Sequence, residues 1–224
     1  MLMENIFLRG LEKCKLFDGL SVTDIHNIIR SIDCRIINVM HRKLYATAGS
    51  TCSHTDIILK GNMVVRMMGE SGKQLDLIRL KKGDIVAICY MYGSEHEIPA
   101  CIEAETDTTL LRISKTAFRK LIDSNQTVRW NYVGVLSDIS TFFASHIKFL
   151  SLLTVRQKLL RYLRYEFMQQ RSVKLTLHNS RQKLADMFAV QKYSIQRIFS
   201  MLVAEGIIMV DGKTVTILDI SRLK

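Results

Sequence analysis

The chain has 224 residues, 48% of them hydrophobic, which is enough for one large domain or two small ones and excludes a chain disordered throughout. No apolar run reaches the roughly 18 residues that a membrane-spanning helix needs, and a single proline, Pro99, excludes Pro-rich linkers. The net charge is +11 and unevenly placed: residues 151–224 hold 13 Lys and Arg against 5 Asp and Glu, residues 1–150 hold 19 against 16, so the last third suits a polyanion, nucleic acid before acidic lipid.

The N-terminal stretch, residues 1–10, carries Glu4 and Arg9 and has no long apolar run before a cleavage site. No signal peptide is expected, and the cytoplasm is the expected location. Ser21, with Asp24 three positions on, reads as the N-cap of a helix to about Arg30 whose face is Ile25, Ile28 and Ile29. From Ile32 to about Arg112, short apolar runs alternate with turn signals such as Ala48-Gly49-Ser50, Lys60-Gly61-Asn62 and Lys82-Gly83-Asp84. The strand candidates are residues 57–59, 63–65, 75–80, 85–88 and 110–113, with 69–72 as a hairpin loop, and they predict a small antiparallel roll or barrel. Cys14, Cys34, Cys52, Cys89 and Cys101 are odd in number and widely spaced, with no Cys-x-x-Cys. They are expected as reduced thiols, not as a zinc site or disulfide framework.

A helix begins near Ser114 or Lys115, with Phe118, Leu121 and Ile122 on one face, and a longer one runs from about Gln126 to Leu150. Within it Val128, Tyr132, Val135, Ile139, Phe142, His146 and Phe149 recur at alternating spacings of four and three. That heptad seam predicts pairing of two helices. Leu136, Phe143, Ile147 and Leu150 lie on the adjacent face and are expected against the roll. Residues 155–168 form an amphipathic helix with Leu159, Leu160, Leu163 and Phe167 inside, and residues 173–177 alternate as a short strand.

The segment 180–206 is the most informative. Ser180 is an N-cap, Leu184 and Ala185 are internal, residues 188–190 make a turn, and Ile195, Ile198 and Leu202 anchor a second helix ending at Gly206. A small residue, a tight turn and buried aliphatics at these offsets describe a helix-turn-helix. Its second helix exposes Gln191, Lys192, Tyr193, Ser194, Gln196 and Arg197, which can read base edges or grip phosphate; Ser180, Arg181 and Gln182 open the first helix. Residues 207–210, Asp211-Gly212 and residues 214–218 form a hairpin, the wing, with Lys213 at its tip.

On these residues the chain resembles the Crp/Fnr family of bacterial regulators. Ser180-Arg181-Gln182-Lys183-Leu184-Ala185 looks like the family's entry to its helix-turn-helix, Gly49, Gly61 and Gly83-Asp84 fall at its roll turns, and Ser71-Gly72-Lys73-Gln74 matches its roll hairpin. The resemblance implies a homodimer, a sensor roll, a recognition helix in each of two successive major grooves and contact with RNA polymerase. Tyr193 stands where many members have an acidic base reader, whereas Arg197 matches, and Ala189 stands where glycine is commoner.

The family's sensing chemistries can be compared with these residues. Its cyclic AMP binders need Gly-Glu for the ribose and Arg-Ser for the phosphate; the matching positions hold Ala87-Ile88 and Ile98-Pro99. An anionic phosphate without a cation would be costly to bury, so cyclic AMP is not expected. An iron–sulfur cluster needs cysteines grouped near the N-terminus, where only Cys14 lies. The remaining candidates are haem or another apolar effector, in a pocket of Ile85, Ile88, Cys89, Ile98, Pro99, Tyr132 and Ile139. His146 and Met68 are the candidate iron ligands, with Met67, Cys89 and His96 behind them. This neutral pocket resembles a subgroup tied to nitrosative stress and the hybrid-cluster protein.

The expected fold class is α+β: an N-terminal antiparallel β-roll (a jelly-roll like cyclic-nucleotide-binding domains) with flanking helices over residues 1–125, a long dimerisation helix over 126–150, and a C-terminal winged helix-turn-helix over 151–224. The expected function is a sequence-specific DNA-binding transcription regulator under a small effector, not an enzyme. The alternatives are a regulatory module that binds no DNA and a cupin-type metal enzyme, for which His41, His54 and His96 are too scattered.

Overall fold

The computed structural model describes residues 10–69 and 74–223. The chain divides into two compact units, Met1–Phe142 and Phe143–Lys224. The predicted hairpin loop at 69–72 and most of the Ser71–Gln74 match fall outside the described residues, as does nearly all of the N-terminal stretch.

In the first unit, helix α1 (Val22–Ser31) starts at Ser21 with the full capping box to Asp24. Ten strands follow, β1 (Cys34–Val39) to β10 (Thr108–Ser114). With β4 (His54–Lys60), β5 (Met63–Met68), β6 (Gln74–Leu80) and β7 (Ile85–Val86) between them, they make two four-stranded antiparallel sheets, ordered β1-β10-β4-β7 and β2-β9-β5-β6, with a β3-β8 pair. This is the expected roll, but β1, β2 (Leu44–Ala46), β3 (Ser50–Thr51), β8 (Glu97–Ile98) and β9 (Cys101–Ala104) were not among the strand candidates. Those strands are short or, like β1, largely exposed, so their apolar alternation is weak. One candidate is shortened: β7 covers only Ile85–Val86, because Ala87 turns left-handed (φ 62°) and starts a 3-10 turn over Ile88–Tyr90. Gly83, at φ 93°, presses on Lys13, whose carbonyl oxygen would lie 2.7 Å from any Cβ.

Helices α2 (Lys115–Ser124) and α3 (Gln126–Leu152) follow the roll. The second unit holds the end of α3, α4 (Val155–Gln170), β11 (Lys174–Thr176), α5 (Arg181–Met187), α6 (Lys192–Ala204) and the hairpin β12 (Ile208–Asp211) with β13 (Thr214–Ile217). Asp211 pairs with Thr214, so the wing turns on Gly212-Lys213, one residue later than expected, with Gly212 at φ 55°. The core of this unit gathers Leu159, Leu163, Leu175, Leu184, Ile195, Leu202, Ile208 and Val215 from α4 to β13, with Phe149 of α3 packed against it.

Candidate nucleic-acid interface and sensor site

Helix α5 begins at Ser180, whose hydroxyl accepts from the Lys183 N–H at 3.1 Å. It ends at Phe188, and Ala189 takes a left-handed conformation (φ 56°) to turn the chain into α6. Ala185 is fully buried in the core that α5 shares with α6, where a small residue lets the two helices approach closely. Ile195, Ile198, Phe199 and Leu202 are buried, which turns Lys192, Tyr193, Gln196 and Arg197 outward. Tyr193 is 71% exposed. Gln191 is the exposed N-cap residue of α6, Ser194 is half-buried, and Lys213 is exposed on the wing.

The residues at the start of α5 are occupied within the unit. The Arg181 guanidinium lies flat on the Phe199 ring, 3.3 Å from its centroid, and burial lowers its pKa. Gln182 donates to Asp186 at 2.9 Å. Arg181 therefore ties α5 to α6.

Lys158 is a residue that pattern reading passed over. It is 4% exposed, and its ammonium donates to the carbonyls of Leu150 (2.9 Å) and Phe188 (3.0 Å), 5.9 Å from the Phe149 ring. Both carbonyls lie at helix C-termini, those of α3 and α5, where the helix dipole is negative. The available signal was a lysine inside the apolar arc of α4, beside Leu159 and Leu163.

In the sensor unit, the residues expected to line the pocket are divided between two cores. Ile88 is buried in the core with Leu16, Phe17 and Phe118, and Ile85, Tyr132 and Ile139 pack on that same core. Ile98 belongs to a different core, with Cys52, Ile58, Met63 and Leu110. Cys89 is half-buried and Pro99 exposed. Ile88 lies in the 3-10 turn after Ala87, with its side chain inside the core. Two cavities lie on either side of His54. One, of 330 Å³, is lined by Leu44–Thr47, Ser50, Cys52 and Ile98; the other, of 320 Å³, by Asp33, Arg35, Ser53, Arg112 and Ser114. Burial lowers the His54 pKa against the pull of Asp56, with Arg112 and Arg35 adding to the lowering.

Comparison with known proteins covers both units. The cyclic nucleotide-binding domain family matches residues 43–125, and the Crp-like helix-turn-helix domain family matches residues 157–224. The chain belongs to the Crp/Fnr family of transcription regulators. The cAMP-activated global transcriptional regulator CRP of Salmonella typhimurium is 23% identical over 164 residues, 71% of this chain and 78% of that protein. Among solved structures, the c-di-GMP responsive regulator CLP of Xanthomonas campestris aligns with a TM-score of 0.68 at 17% identity, covering 89% of this chain and all of that one. A CooA mutant from Carboxydothermus hydrogenoformans aligns at 0.66 and 20% identity, covering 92% and 90%. Like other Crp/Fnr members, this is a DNA-binding transcription regulator with an effector-binding domain.

Within that family frame, two further expectations change. Along α3, Val128 (0% exposed) and Val135 (9%) lie inside the sensor core, and Tyr132 and Ile139 pack on it; Phe149 packs on the C-terminal core. The heptad face therefore serves each unit's own core over most of its length, since periodicity marks an apolar face without saying what covers it. The adjacent face is the open one: Ile147 is 63% exposed, as are Trp130 (64%) and Val133 (43%), with Gly134, Ser137 and Ala144 between them. Of the candidate iron ligands, Met67 and Met68 sit exposed on β5 (Met63–Met68), while His146 stacks on Phe149 with its pKa lowered by burial. His96 faces the Tyr90 carbonyl at 3.5 Å. Among the described residues, no group of three or more His, Cys, Asp or Glu converges to hold a metal, and no helix is long and apolar enough to cross a membrane.

Proposed function

We propose that two copies of this regulator pair along α3, set α6 of each copy in successive major grooves of a near-palindromic operator, and answer to an effector other than cyclic AMP. The observation that carries the reading is the outward face of α6, where Lys192, Tyr193, Gln196 and Arg197 stand clear of the buried Ile195, Ile198 and Phe199. Gln191 and Ser194 flank this face, Ser180, Arg181 and Gln182 open α5 beside it, and Lys213 extends it on the wing. Phosphate neutralisation by this basic third supplies most of the affinity, so binding weakens steeply with salt. Arg197 makes a bidentate contact to guanine, and Tyr193 replaces the usual acidic reader with a ring that can meet a thymine methyl. Work in the cytoplasm and contact with RNA polymerase follow from the family.

The pairing face is the stripe of Trp130, Val133, Gly134, Ser137, Ala144 and Ile147, whose small residues let two helices approach closely. Ile147→Glu is expected to give monomers in sedimentation, and a dimer unchanged by it rejects this face. The effector reading rests on Ala87, which keeps the left-handed turn while the next position offers buried Ile88 in place of a carboxylate, and on Ile98-Pro99 in place of a cation. Calorimetry showing micromolar cyclic AMP affinity would overturn it. The absence of Lys and Arg from residues 85–99 is also what supports placement in the subgroup tied to nitrosative stress.

Selection from random duplexes tests the DNA reading. Arg197→Ala should cost about 1–3 kcal/mol at one base pair and relax preference there. An unchanged consensus with unchanged discrimination at every position would remove Arg197 as a base reader.

A further inference from the structure

The inner face of the sheet β1-β10-β4 changes character at one end. Along one cross-strand row it carries Ile37, Leu110 and Ile58, all packed in the second core of the roll. The next row on the same face is Arg35, Arg112 and Asp56, and beyond it Ser114 stands opposite His54. Two guanidinium side chains directly opposite each other on neighbouring strands repel, and nearby negative charge offsets that repulsion. Asp56, fully buried, supplies one such charge: its carboxylate accepts from Arg112 Nη2 at 2.8 Å and from Nε at 3.1 Å. Arg35 has no ion-pair partner among the described residues. The row opens into the 320 Å³ cavity that Asp33, Cys34, Ser53, His54 and Ser114 complete.

We propose that this cavity binds the carboxylate group of a small organic acid, held between Arg35 and Arg112. The inference rests on the reading of the roll as an effector-binding unit and names the chemistry of its ligand. The cavity is at the lower end of the range for small-molecule sites, which suits a metabolite of a few carbons. Guanidinium groups are the side chains best matched to a planar carboxylate. Ser114, whose oxygen already accepts from the Ala117 N–H, keeps its own O–H to donate. The imidazole of His54 sits 3.0 Å from the Ser53 hydroxyl through Nδ1, which leaves Nε2 as its second polar atom. The charge balance of the lining sets the ligand's valence. Asp56 behind the lining already neutralises Arg112, which leaves Arg35 as the cation without an ion-pair partner among the described residues, and a singly charged carboxylate balances it better than a phosphate dianion. Asp33 at the rim also separates two sources of the carboxylate, a simple acid and an amino acid whose ammonium group it would pair.

The test is a titration of the full-length protein with acetate, succinate, glycine and inorganic phosphate, followed by the ring-proton resonances of His54. Saturable shifts with at least one carboxylate are expected, with glycine stronger than acetate if the natural source is an amino acid and weaker if it is a simple acid. Arg35→Gln, an exposed position that leaves the core intact, should weaken that binding by roughly tenfold or more. No saturable shift with any carboxylate, binding indifferent to Arg35→Gln, or phosphate binding as strongly as the carboxylates would each overturn the proposal. Operator selection by the same protein stays as before in all these cases, so failure here is distinct from failure of the regulator reading.

Discussion

The two units bury charge in opposite ways. In the sensor unit Asp56 is taken out of water together with Arg112, across neighbouring strands, and Arg112 lies 5.6 Å over the Tyr45 ring. The Tyr45 hydroxyl, buried beside Asp56, has its pKa pushed up strongly. In the C-terminal unit Lys158 goes under alone, with two backbone carbonyls and the negative ends of α3 and α5 in place of a carboxylate. The difference follows from architecture. A sheet sets side chains from two strands directly opposite, so a pair comes readily; helices offer their unsatisfied C-terminal carbonyls, which suit a single cation.

Breaking the pair should have the largest effect. Arg112→Met leaves Asp56 buried and uncompensated, and the sensor unit should lose about 3–5 kcal/mol. Calorimetry should show its transition move while that of the C-terminal unit stays. Adding Asp56→Asn should recover part of the loss, and full additivity of the two changes would contradict a coupled pair.

A smaller effect is expected on the other side. Lys158→Met orphans the carbonyls of Leu150 and Phe188, at about 1–3 kcal/mol, confined to the C-terminal unit. The two proteins should also differ in pH dependence. Burial lowers the Lys158 pKa below the ordinary 10.5, so just below that pH the unfolded chain holds a proton that the folded chain has released. Stability of this unit therefore gains a rising component as pH climbs from the folded pKa toward 10.5, and Lys158→Met should flatten it. Equal slopes in urea denaturation across that range would show that Lys158 is not buried as a cation.

The smallest change should be a gain. Each unit carries an alanine in the left-handed region, Ala87 (φ 62°) and Ala189 (φ 56°). Ala189→Gly relieves that strain at the helix-turn-helix at some entropic cost, for a net gain of about 0.5–1 kcal/mol in thermal unfolding. A loss instead would mean that the alanine methyl group contributes packing that the turn needs.

Legibility in the sequence followed the range of the interactions. Ser21 with Asp24, Ser114, and the pattern from Ser180 to Gly206 all act within a few residues, and each cap and helix stands where the pattern placed it. The outward face of α6 was legible for the same reason: helical spacing puts Ile195, Ile198 and Leu202 on one side and leaves Lys192, Tyr193, Gln196 and Arg197 on the other.

By itself, then, the sequence determined the order of units and the helix-turn-helix and wing, because these depend on local periodicity, capping and residue identity. Only the tertiary structure decided which face of α3 is spent on the sensor core, since Val128 and Val135 look the same in a heptad whether a roll or a second helix covers them. It also decided that Ile88 fills the interior while cavities open beside His54, and that Arg35, Arg112 and Asp56 form one row. Those three residues come from strands up to 77 positions apart, and their meeting is set by strand register, which no local pattern encodes.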